Sequence, residues 1–313
     1  MEKRALRTIS RKAGCALLAV CVLQLAAAPL ALLRPRLPDM SDALWYALMV
    51  LLGSLTVLGG ALVGKRLFRV EAHGCASPVN QAETHVNQAI AETHSSASLQ
   101  DSFLLVVAGA ALCMAGNFAA IFVEALAGRA GIEFLGGPEE IVPQGSLGLL
   151  LAMLTTGLLP AVTEELLLRG VILPPLRRFG DGFAVVSTAA LFALLHQNME
   201  QAPMAFVSGL ALGWVYVRGG RLALPILVHL WNNTAAVALL LLPERAEYIY
   251  MLALLAAGGL SAFALYLRRP KPNGIVCELP AYRRASIFFF GSVAMVLALG
   301  YFVAVIVLNT RAA

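Results

Sequence analysis

Three short segments of this 313-residue chain set acids, imidazoles and an amide into otherwise apolar sequence. The first runs Leu158-Leu-Pro-Ala-Val-Thr-Glu164-Glu165-Leu-Leu-Leu-Arg169-Gly170. Glu165 and Arg169 stand one helical turn apart, acid before base, so they share a face and can neutralise each other. Glu164 is rotated by about 100° from its neighbour and lacks that local partner. It is the carboxylate left free to work as a general base or acid. The second segment is Phe192-Ala-Leu-Leu-His196, whose two ends again share a helical face. The third, His229-Leu-Trp-Asn232-Asn233, stacks His229 and Asn233 on one face well inside an apolar run. Polar groups at such depth face protein or a water-filled cavity, because lipid offers them no partner.

Each segment also has a purely structural reading. Glu164, Glu165 and Arg169 can cap a helix at the membrane surface, His196 can be a satisfied interface residue, and His229 with Asn233 can bond neighbouring helices. Together they supply more than caps. A carboxylate and an imidazole can hold and deprotonate a water molecule. A second imidazole and an amide N–H can stabilise the oxyanion that forms when this water attacks a carbonyl. No serine or cysteine stands in a comparable buried pairing, which disfavours a covalent acyl-enzyme.

Glu164-Glu165-xxx-Arg169, Phe192-xxx-His196 and His229-xxx-Asn233 resemble, in order and placement, the three motifs of the CAAX protease and bacteriocin-processing (CPBP) family, which includes the type II CAAX prenyl endopeptidase. The resemblance covers roughly residues 145–240, and all three motifs match. It implies an all-helical membrane fold and intramembrane endopeptidase chemistry. Glu164 and His196 would activate water, while His229 and Asn233 would form the oxyanion hole. Glu165, Arg169 and Phe192 would support the site. Members of this family were long called metalloproteases, and Glu164, His196 and His229 would be the zinc ligands in that case. The chain lacks the HExxH helix that lets two histidines grip one ion, so the expectation is a glutamate mechanism with no cofactor.

The elements that must position these residues are membrane helices. The chain is 59% hydrophobic and only 13% charged, against about 25% charged in soluble domains, with a mean hydropathy of +0.79. Apolar runs at 13–33, 43–64, 103–128, 147–168, 183–198, 202–217, 222–242, 248–267 and 287–308 predict an all-α, polytopic bundle of eight or nine spans. The run at 13–33 is too long for an ordinary signal-peptide core and reads as the first span. With the N-terminus inside, 18 of the 23 lysines and arginines fall in cytoplasmic segments, which follows the positive-inside rule. The net charge of +5 therefore points to lipid headgroups and not to nucleic acid. A compact membrane protein of this kind fits a prokaryotic plasma membrane, with the bilayer and a membrane-associated peptide or protein as partners. The expected organisation is N-terminal helices over 1–144, a catalytic core over 145–242 and C-terminal helices over 243–313.

The five cysteines form no CxxC pair, which speaks against a disulfide framework or a zinc ribbon. The polar tract at 70–101 contains a near-duplication, Val79-Asn-Gln-Ala-Glu-Thr-His85 then Val86-Asn-Gln-Ala-Ile-Ala-Glu-Thr-His94. With His73 it reads as a solvated cytoplasmic loop, metal binding being the weaker alternative. One geometric conflict stands out. His196 lies deep along its span while Glu164 and His229 lie near the cytoplasmic ends of theirs, so a turn over Leu173–Gly180 is expected to bring them level. A rival function of another class is a non-catalytic membrane protein, whether a bacteriocin-immunity or scaffold protein or a proton-coupled transporter. The absence of an inverted repeat argues against the transporter.

Overall fold

The structure, a computed structural model, describes residues 2–73, 97–134, 145–268 and 285–312. The described residues are helical almost throughout: α1 (Glu2–Ala27), α2 (Asp42–His73), α3 (Leu99–Arg129), α4 (Gly145–Phe179), α5 (Asp181–Leu195), α6 (Ala202–Gly219), α7 (Ala223–Leu239), α8 (Glu244–Arg268), α9 (Ala285–Phe290) and α10 (Val293–Leu308). Residues 74–96 of the polar tract, including His85 and His94, lie outside the described residues. A departure from a wholly helical chain is a small antiparallel ribbon, in which Ile132–Phe134 (β1) pairs with Thr310–Ala312 (β2).

Among the described residues, five segments are long and apolar enough to cross a membrane: Lys3–Arg36, Asp42–Arg69, Leu99–Arg129, Gly145–Phe179 and Glu244–Arg268. The chain is an integral membrane protein on this evidence. Large side chains on the outer surface agree, with Leu260 on α8 at 71% and Val293 on α10 at 78% exposure, where lipid and not water can receive them. The remaining predicted spans coincide with helices but differ in length. Asp181–Leu195, Ala223–Leu239 and Val293–Leu308 are shorter apolar helices. At about 1.5 Å per residue, α5 reaches only ~22 Å, short of the ~30 Å hydrocarbon core.

The helices pack around α3, α4 and α6. Helix α3 lies against α6, α7 and α8, while α5 lies against α6. Helix α1 packs on α2, α9 and α10, with Ala13, Ala16, Leu17 and Val20 buried at its contacts. The first apolar run is thus built into the bundle as a helix. Caps fix several helix starts. Ser98 accepts from the Asp101 N–H at the head of α3, and Ser292 accepts from the Met295 N–H at the head of α10, which satisfies otherwise orphaned donors.

Helix α4 is not a uniform α-helix. Its α-helical segment Leu159–Glu165 is flanked by π-helical turns at Met153–Leu158 and Leu166–Ile172. Such wide turns concentrate at functional sites because they re-aim side chains without breaking the helix. The turn expected over 173–180 falls at the end of that segment. Leu173–Leu176 stays helical, since its prolines stand at the first positions of a segment, where a missing N–H costs little. The chain bends later, at Gly180, whose φ of 106° suits glycine.

Candidate active site

The three motifs come from α4, α5 and α7, and their side chains meet between these helices and α6. Glu165 and Arg169 are both 0% exposed and bond at 2.7 Å, as their spacing predicts. Arg169 also donates from Nη2 to the Gly209 carbonyl of α6 at 2.8 Å. Its guanidinium lies 5.1 Å from the centroid of the Phe192 ring, a cation–π contact strengthened by desolvation. The buried charge is thus matched by a carboxylate, a carbonyl and an aromatic face.

Glu165 has a second partner. Its Oε1 accepts from Nδ1 of His229 at 3.2 Å. A carboxylate only accepts, so this bond puts a proton on Nδ1 and turns the Nε2 edge of the ring the other way. That edge faces Glu164, with Nε2 lying 3.9 Å from Oε2. Glu164 Oε2 is buried and has no hydrogen-bond partner among the described residues, although the side chain as a whole is 19% exposed. The two adjacent glutamates therefore differ in the way their rotation predicts. Glu165 is locked through Oε1 in an ion pair, its Oε2 being buried without a partner among the described residues, whereas Glu164 has no arginine partner and is partly exposed.

Phe192 joins the two histidines. Its ring meets His196 edge-on at 4.8 Å between centroids and His229 at 5.5 Å. His196 closes the end of α5, and its Nδ1 lies 2.9 Å from the Phe192 carbonyl. That carbonyl can only accept, so Nδ1 carries the hydrogen and Nε2 is left as an acceptor. Glu164 and His196 make no direct hydrogen bond to each other among the described residues. His196 closes the far end of α5, yet its ring and that of His229 meet at Phe192, so the helices carry the two histidines to one level.

Asn233 lies one turn beyond His229 on α7. Its Nδ2 donates to the Thr156 carbonyl of α4 at 3.1 Å, and its Oδ1 accepts from Asn232 at 3.4 Å. The sequence reading missed Thr156 and Gly209. A Cβ at Gly209 would stand 2.8 Å from Ala189 Cα and 3.2 Å from Phe192 Cδ1. Only glycine lets α6 approach α5 closely enough for its carbonyl to reach Arg169.

A zinc site needs donor atoms converging on one point. No group of three or more histidine, cysteine, aspartate or glutamate side chains has that arrangement among the described residues. The set Glu164, His196 and His229 does not fit a zinc centre in this geometry, and no step below passes through a metal.

Comparison with known proteins places the same segment. Residues 146–235 match a family model described as type II CAAX prenyl endopeptidase Rce1-like. A curated protein of Bacillus subtilis (strain 168), "Putative membrane peptidase YdiL", is 26% identical over 138 residues. That alignment covers 42% of this chain and spans 57% of the relative's length. No solved structure matches this chain.

Proposed function

We propose, from the match of residues 146–235 to the Rce1-like type II CAAX prenyl endopeptidase family model, that this chain is an intramembrane endopeptidase which hydrolyses peptide bonds of membrane-associated peptides or proteins with an activated water. The observation that carries the proposal is the uncommitted Glu164 carboxylate beside His229. In this reading residues 145–242 form the catalytic core, and 1–144 and 243–313 are flanking membrane helices. The N-terminus faces the cytoplasm, as the distribution of basic residues favours.

The steps follow from the proton positions. Glu164 takes a proton from water as its oxygen attacks the scissile carbonyl, with the free Nε2 of His196 orienting that water. The carbonyl oxygen becomes an oxyanion and is held by Asn233 Nδ2 and by Nε2 of His229 in its imidazolium form, the state in which both ring nitrogens carry a proton while Nδ1 stays on Glu165. Collapse breaks the C–N bond, and the proton held by Glu164 passes to the departing amine. Glu165 keeps the His229 ring oriented through Nδ1, and Arg169 keeps Glu165 charged and fixed. Phe192 holds both imidazoles and the guanidinium at one ring.

The test is to reconstitute the protein, vary Glu164→Ala, His196→Ala and His229→Ala singly, and measure cleavage of membrane-anchored peptides. The proposal requires each variant to lose most turnover; unchanged turnover in all three would sink it. Proton flux into liposomes that depends on Glu164, without any cleavage, would favour a transporter instead.

A further inference from the structure

We infer that Gly157 and Pro160, which belong to none of the three motifs, are positioning residues that aim the Asn233 amide at the reacting carbonyl. The inference rests on the peptidase reading for what Asn233 does, and on geometry for how it is held.

In an α-helix the N–H of residue 160 would bond the carbonyl of residue 156. Pro160 has no N–H to give. In the α register of Leu159–Glu165, which Pro160 helps to open, the carbonyl left without this donor is Thr156, the one that accepts Asn233 Nδ2 at 3.1 Å. The helix here already departs from the α pattern. Over Met153–Leu158 it makes π turns, and the Leu159 N–H reaches back to the Leu154 carbonyl. Pro160 then opens the α-helical segment Leu159–Glu165, where its ring is tolerated. The carbonyl of α4 that lacks this donor thus becomes an acceptor for α7.

This acceptor settles which way the amide points. Thr156 O can only accept, so it draws Nδ2 towards α4, while Asn232 donates to Oδ1 at 3.4 Å. A primary amide carries two N–H donors. One is spent on Thr156, and the other is left for an oxyanion. Without the Thr156 bond the amide could turn over and present an acceptor, which would repel the developing charge.

Gly157 makes the reach possible. A Cβ at this position would stand 2.8 Å from Thr234 Cγ2, on the residue next to Asn233. Thr234 is not free to swing aside, since its hydroxyl bonds the Leu230 carbonyl at 2.7 Å. Any side chain at 157 therefore pushes α7 off α4 where Asn233 crosses to Thr156.

The test sets activity against stability. Pro160→Ala returns an N–H that competes for the Thr156 carbonyl, and alanine is the better helix residue. A merely structural proline predicts equal or higher thermal stability with unchanged turnover. Positioning predicts the same stability with kcat reduced by about 10–100-fold, KM within about twofold, and no further loss when combined with Asn233→Ala, which itself costs about 10²–10³ in kcat. Gly157→Ala should lower kcat in the wild-type background and add little to Asn233→Ala. Wild-type kcat in Pro160→Ala while Asn233→Ala is impaired would overturn the inference, as would losses that simply multiply. A failed peptidase reading looks different, because Glu164→Ala and Asn233→Ala would then also leave turnover untouched. The side-chain amide signal of Asn233 in ¹⁵N spectra gives a readout without turnover. It should shift or broaden in Pro160→Ala, and an unchanged signal overturns the inference on its own.

Discussion

Glu165 Oε1 lies 3.2 Å from Nδ1 of His229, so the glutamate that balances a buried arginine also fixes the ring that faces its neighbour Glu164. The consequence is a division of labour between two adjacent carboxylates. Glu165 is fully buried and takes both of its bonds on Oε1, its Oε2 having no partner among the described residues, while Glu164 has a free Oε2 and a side chain that is 19% exposed. Neither role survives exchange with the other, because a single residue of rotation separates an ion pair from an open edge.

Arg169→Ala would strand the Glu165 charge in a site with 0% exposure. Removing one partner of a buried pair costs about 3–5 kcal/mol, and a loss of that size is expected in thermal or denaturant unfolding in detergent. Arg169→Lys should recover part of it. It keeps the charge but cannot hold both Glu165 and the Gly209 carbonyl in a planar fork.

Glu165→Gln keeps the shape and removes the charge that holds the Nδ1 proton of His229. Turnover is expected to drop by about 10-fold or more through loss of ring orientation. Thermal stability should fall as well, since Arg169 is left without its counter-ion. Matched unfolding and kinetic measurements on this one variant separate the two effects. A variant that loses stability yet keeps wild-type kcat would show that His229 is oriented by something else.

Gly209→Ala tests the approach of α6. The added Cβ meets Ala189 and Phe192 at 2.8–3.2 Å, an overpacking expected to cost about 1–3 kcal/mol. Because it also moves the carbonyl away from Arg169, activity should fall further than the stability loss alone explains. Activity that simply tracks the folded fraction would contradict this.

Much of this site is legible in the sequence, for a definite reason. Glu165–Arg169, Phe192–His196 and His229–Asn233 are all one turn apart, and helical geometry alone puts each pair on a common face. The apolar runs likewise announce the helices that carry them. Spacing does not reveal contacts made by backbone atoms or by absent side chains. The Gly209 and Thr156 carbonyls have no side-chain signature, and the role of Gly157 is visible only when Thr234 is seen against it. The π turns of α4 are equally silent, since a regular 3.6-residue period was the only one assumed.

The measurement that bears most directly on the central claim is peptide-bond cleavage by the reconstituted protein with Glu164 changed to glutamine. The substitution preserves size and polarity but cannot take a proton from water. The account predicts that Glu164→Gln folds like the wild type, still binds the membrane-anchored peptide, and cleaves it at least about 10²-fold more slowly. Cleavage at the wild-type rate by a folded Glu164→Gln protein would contradict it.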